Sequence, residues 1–64
     1  MSFKKLEKIN IGDVPSNIEK LILSNNKFKN AELIQLPENL QWVDITNNFL
    51  ENIDYLHKYR LYND

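Results

Sequence analysis

Asp54 and His57 are the pair in this sequence best suited to proton transfer. An imidazole titrates near neutrality, and a carboxylate one helical turn away can orient it. No Ser or Cys nucleophile accompanies them in a motif. The chain has one His and no Cys, so a solvated His57 is the better account and no enzyme or catalytic residue is expected. Asp44, Glu51 and Asp54 lack the spacing of a calcium loop. A single His without thiolates does not make a structural zinc site. No metal and no cofactor are expected.

The residues that do carry a pattern are amides and apolar side chains. Residues 18–31 read I-E-K-L-I-L-S-N-N-K-F-K-N-A, and residues 40–53 read L-Q-W-V-D-I-T-N-N-F-L-E-N-I. Ile18, Leu21, Leu23, Asn26 and Phe28 map onto Leu40, Val43, Ile45, Asn48 and Leu50, all at one constant offset of twenty-two positions. A fixed period of this length marks a repeat architecture. Asn suits a place where the chain leaves a strand and turns inward, because its side chain offers both a donor and an acceptor to unpaired backbone groups. Asn26 and Asn48 are therefore read as structural.

The elements that must position these residues follow from the repeat. The 64 residues are read as one domain. Residues 1–13 form an N-terminal cap strand, carried by the alternation Glu7-Lys8-Ile9-Asn10-Ile11 and closed by a turn at Gly12-Asp13. Ile9 and Ile11 precede Leu21 and Leu23 by little more than half the repeat period, which is tight for a parallel crossover. An antiparallel cap strand is the favoured expectation, with a parallel one as the alternative. Residues 14–35 are the first repeat, with a strand at about Glu19 to Leu23 and a short helical turn after Asn30, which caps it. Residues 36–53 are the second, with a strand at about Gln41 to Ile45. Residues 54–64 read as a capping helix: Asp54 is a good N-cap, and Tyr55, Tyr59 and Tyr62 recur at helical spacing.

The pattern resembles the leucine-rich repeat family, whose signature L-x-x-L-x-L-x-x-N-x-L is matched in both stretches. The P-x-x-I/L before each strand, Pro15-Ser16-Asn17-Ile18 and Pro37-Glu38-Asn39-Leu40, is similar to the short repeats of bacterial effectors and AT-rich viruses. The resemblance covers residues 14–53. It implies an α/β fold: a minimal solenoid with a short, mostly parallel sheet, short helical turns and the C-terminal capping helix. It also implies that the outer strand surface is the ligand-facing one. Two full repeats are fewer than the three or more such an array normally needs.

Strand alternation then assigns sides. Leu21, Leu23, Val43 and Ile45 point inward. Lys20, Ile22 and Ser24, with Trp42, Asp44 and Thr46, point outward, so Lys20 stands beside Trp42 and Ile22 beside Asp44. An outward Trp has no core of its own to fill, and Trp is a frequent binding anchor. The alternative for Trp42 is that it covers an edge of its own domain beneath the C-terminal segment. The candidate partner-binding residues are Lys20, Ile22, Trp42, Asp44 and Thr46.

Composition narrows the class of partner. Net charge is −1, with acidic and basic residues interspersed, which argues against a nucleic-acid clamp. Tyr and basic residues mix near the C-terminus, but helical spacing favours a capping role over base stacking. The longest apolar run, Leu21-Ile22-Leu23, spans no membrane. The N-terminal Met1-Ser2-Phe3-Lys4-Lys5 has no hydrophobic stretch behind it and is not a signal peptide, so a cytoplasmic protein is expected. Asn, Lys and Ile number 10, 7 and 7, against one each of Gly, Ala and Arg. That bias points to an AT-rich genome. Together these features lead us to expect a non-enzymatic protein-binding module, a viral or phage modulator or inhibitor of a larger host protein acting in the host cytoplasm. The alternative is a self-assembling homo-oligomer, joined through solenoid ends or sheet edges.

Overall fold

The period of the sequence becomes a hydrogen-bond register. In the computed structural model, which describes residues 1–63, strand β1 (Lys20–Ile22) runs parallel to β2 (Trp42–Asp44). Lys20 faces Trp42, Leu21 faces Val43 and Ile22 faces Asp44. Beyond the strand ends the Leu23 N–H donates to the Asp44 carbonyl at 2.7 Å, and the Asn25 N–H to the Thr46 carbonyl at 2.9 Å. A third strand, β3 (Arg60–Tyr62), lies parallel on the far side of β2, giving an open sheet of order β1-β2-β3.

Each strand is short because its sequence soon turns. Asn25 and Asn47 sit at φ 59° and 60°, the left-handed region that Asn tolerates better than most residues. The Asn47 side-chain amide donates to the Asn25 side-chain oxygen at 2.6 Å, so the two turns are stitched together on the surface. Among the described residues the helical content is three single 3-10 turns, at Ile11–Asp13, Ala31–Leu33 and Asp54–Leu56. Asn30 caps the second as expected, its Oδ1 accepting the Glu32 N–H at 3.0 Å. In the first, the Asp13 carboxylate reaches back to accept the Asn10 N–H at 3.0 Å.

The core lies between the sheet and these turns. Leu21, Leu23, Phe28, Ile34, Val43, Ile45 and Leu56 are fully buried. Burial of each such side chain contributes about 1.5–3 kcal/mol. The two repeats are not equal: Phe28 is completely enclosed, while its counterpart Leu50 is half-buried. Phe28 is held against the chain that follows β2, its carbonyl accepting the Phe49 N–H at 2.9 Å. Leu50 is followed instead by a shorter stretch: Val43 pairs with Leu61, closer in sequence than Leu21 is to Val43.

Both ends depart from the sequence expectation. The lead-in does not form an antiparallel strand over residues 7–11. It meets β1 in the parallel sense through Ser2, opposite Ile22, with the Ile22 N–H donating to the Met1 carbonyl at 2.8 Å. Ile9 forms a second parallel bridge, to Ile34, its N–H donating to the Leu33 carbonyl at 2.9 Å. Ile9 is buried and Ile11 is 55 % exposed inside the 3-10 turn, so the apparent alternation of the two was misleading. The physical reason is crossover length. The stretch from Ser2 to Ile22 is nearly a full repeat and allows a parallel return, whereas the stretch from Ile9 to Leu21 is too short for one.

The capping helix expected over 54–64 is likewise replaced, over its described part, by the 3-10 turn Asp54–Leu56 and strand β3; Asp64 lies outside the described residues. Asp54 is the first residue of that turn rather than its cap. A helix of two turns is marginal on its own, and it would leave one edge of β2 unpaired. β3 fills that edge: the Arg60 N–H donates to the Gln41 carbonyl at 3.1 Å, and the Ile45 N–H to the Tyr62 carbonyl at 2.8 Å. The three tyrosines consequently part company. Tyr59 is buried, while Tyr55 and Tyr62 are 42 % and 59 % exposed. Among the described residues, no helix is long and apolar enough to cross a membrane.

Candidate functional site

The outer face of the sheet presents two rows of side chains perpendicular to the strands. Strand pairing sets Lys20, Trp42 and Arg60 in one row, and Ile22, Asp44 and Tyr62 in the next. Neighbours within a row are about 4.8 Å apart at the backbone. The residues between them, Leu21 and Val43, are fully buried, so the alternation that drives the core also drives Trp42 outward.

Trp42 is half-buried at the centre of this face. The Lys20 Nζ stands 4.3 Å from the indole centroid, a cation–π contact. The Tyr62 ring packs diagonally against the indole, with centroids 4.9 Å apart and planes tilted by 59°, a geometry that suits two aromatic quadrupoles. Tyr62 thus covers part of the indole and leaves part open. Trp42 is therefore partly covered by a C-terminal residue and still reaches the surface.

The other candidate residues divide. Lys20 is exposed; Ile22, Asp44 and Thr46 are half-buried. The Asp44 carboxylate accepts the Thr46 N–H at 2.9 Å, so Asp44 is oriented by the turn that follows its own strand. Ile22 does not share a row with Trp42. It lies diagonal to it, and the ring contact of Trp42 is with Tyr62.

Arg60 and Tyr62 belong to the face and are not among the residues that strand alternation singled out. Their signal was present, because Arg60-Leu61-Tyr62 places one apolar residue between two polar-ended ones, as a strand with one buried side does. The helical spacing of the three tyrosines hid it.

Beneath β3 an anchor fixes where that strand begins. The Tyr59 hydroxyl lies 3.2 Å from the Leu36 carbonyl oxygen and 3.0 Å from that of Pro37, and its O–H donates to them. Burial raises the Tyr59 phenol above its ordinary value of 10.0, partly opposed by the nearby Lys58 ammonium.

Among the described residues, no three His, Asp or Glu side chains gather as metal ligands. The chemistry the face offers is aromatic contact, cation–π attraction and hydrogen bonding across a surface that holds no cavity among the described residues. No family model, no curated protein and no solved structure matches this chain.

Proposed function

We propose that the chain is a minimal leucine-rich-repeat domain acting as a non-enzymatic protein-binding module, with the outer strand face as its contact surface. The observation that carries this reading is the half-buried Trp42 in the central strand, held between Lys20 and Tyr62 on the side of the sheet away from the core. Large aromatic side chains pinned in one orientation lose little freedom on binding and make efficient anchors. The repeated strand-turn-Asn unit supports the family reading, since Asn26 and Asn48 have equivalent partners. The Asn-, Lys- and Ile-rich composition fits a phage- or virus-encoded modulator of a larger host protein. The partner-binding set is Lys20, Ile22, Trp42, Asp44 and Thr46, to which Arg60 and Tyr62 are added.

The experiment is affinity capture with wild-type protein beside Trp42→Ala and Ile22→Asp. Loss of the captured protein in Trp42→Ala, with the fold retained by circular dichroism, supports the face. Unchanged capture by both variants overturns it.

Self-assembly is the second reading. It is favoured by the outer edge of β3, which pairs with no strand among the described residues, since open edges invite further pairing. Light scattering across a concentration series separates the two readings. A monomer throughout removes the second.

A further inference from the structure

The charges around Trp42 are not distributed as the charges of the whole chain are. Lys20 and Arg60 flank Trp42 on both sides in the same row, one on each neighbouring strand. Both are exposed. Among the described residues no carboxylate engages either of them; Lys20 is held over the indole, and Arg60 has backbone pairing alone. The acidic residue of the face, Asp44, lies in the adjacent row and is turned toward the Thr46 N–H. The chain as a whole has 8 Lys and Arg against 9 Asp and Glu. These three face charges sum to +1, which leaves the rest of the chain at −2. A locally cationic, aromatic-centred row therefore stands on a slightly acidic molecule.

We infer that this row recognises an acidic segment of a protein, with two carboxylates straddling an apolar side chain. The inference rests on the strand-face reading above and specifies the chemistry of the partner. Lys20 and Arg60 are separated by two strand spacings, about 10 Å at the backbone. One carboxylate meets each cation, while the side chain between them covers the part of the indole that Lys20 and Tyr62 leave open. Arg60 takes a carboxylate in its two-pronged geometry, and Lys20 as a point charge. A nucleic acid is the less favoured occupant of the same cations. The row is two charges long, Asp44 stands beside it, and no extended basic field continues it.

The test uses the whole protein as bait for a displayed library of random twelve-residue peptides. The same selection is run on Lys20→Glu/Arg60→Glu and on Trp42→Ala. The three proteins are first compared by thermal melt, and the selections are run below the lowest midpoint; all three substituted positions lie outside the fully buried core. The expected wild-type pool is enriched in Asp and Glu on either side of an apolar residue. Its peptides shift the emission of Trp42, the single Trp of the chain, bind the double variant at least tenfold more weakly, and weaken further with added salt. The double variant selects Lys- and Arg-rich peptides instead.

A wild-type pool that depends on Trp42 but has no acidic bias overturns the inference and leaves the strand-face reading standing. A pool that binds Trp42→Ala equally well overturns both. Failure of the wild-type pool to converge overturns the inference, as does tighter binding of a twenty-residue oligo-dT that displaces the peptides.

Discussion

Asn26 and Asn48, one sequence period apart, repeat one another's hydrogen bonds. Each Nδ2 donates to the carbonyl three residues back, Leu23 at 2.9 Å and Ile45 at 2.9 Å. Each also reaches the preceding unit, Phe3 at 3.0 Å and Leu23 at 2.8 Å. Each Oδ1 accepts a backbone N–H from that preceding unit, Leu6 at 2.8 Å and Phe28 at 3.2 Å. The Leu23 carbonyl is thereby shared between the two side chains. The pair ties three successive turns together through groups that strand pairing cannot satisfy.

Removing either amide is expected to be costly. Asn26 is 4 % exposed, so Asn26→Ala leaves buried backbone groups without partners and costs about 2–3 kcal/mol. Asn48→Ala costs less, because that site is half-buried. For a domain of this size each kcal/mol lowers Tm by about 4–8 °C. Thermal melts of the two variants check the size and the order. Loss of under half a kcal/mol at Asn26 contradicts the role.

The same ladder marks where the sequence was legible and where it was not. Two stretches with matching apolar spacing and matching Asn gave the β1–β2 register and the inward set, because both signals come from side chains with one job. The turn before that ladder was hidden. Leu6 stands one full period before Phe28 and donates to Asn26 as Phe28 does to Asn48. Lys5, at φ 62°, is the left-handed residue of that turn, as Asn25 and Asn47 are of theirs, though it falls two positions later in the period. With Lys in the turn and no Asn to announce it, that unit carries no recognisable signature. β3 was masked for a different reason, since Tyr55, Tyr59 and Tyr62 fit two periods and only the unpaired edge of β2 decides between them.

The left-handed turn residues make a sharper prediction. Asn47→Gly is expected to change stability by under about 1 kcal/mol, because Gly adopts this backbone freely. Asn47→Val is expected to cost more than about 1 kcal/mol, since a β-branched residue is a severe outlier there. Urea titrations of the two variants give the comparison. Equal midpoints would show that the turn does not hold this conformation.

Tyr59 links stability to alkaline pH. Its folded-state phenol titrates above the ordinary 10.0 because burial disfavours the phenolate, and the O–H donated to the Leu36 and Pro37 carbonyls is lost on ionisation. A raised value means that the folded state holds its proton more tightly than the unfolded chain does. The resulting stability is full below about pH 10 and falls as pH rises through the folded value. Tyr59→Phe removes that dependence and costs about 0.5–1.5 kcal/mol at neutral pH. Chemical denaturation at pH 8 and at pH 10.5 checks it. An identical pH slope in wild type and Tyr59→Phe contradicts it.

Inside and outside are expected to separate energetically. Leu21→Ala empties a fully buried site and costs about 2–5 kcal/mol. Trp42→Ala removes a larger side chain but loses a half-exposed ring contact and one cation–π contact, about 1–2 kcal/mol together. Denaturant midpoints of the two proteins test the assignment. A greater loss for Trp42→Ala places the indole in the core and removes it from the face.

The most direct test of the repeat itself is an amide-resolved NMR study in water. We expect the side-chain amide protons of both Asn26 and Asn48 to exchange slowly, and the cross-strand contacts to follow the parallel register Lys20–Trp42–Arg60. Fast exchange at both amides, or the close Hα–Hα contacts of antiparallel pairing between residues 20–22 and 42–44, would contradict the stacked duplication.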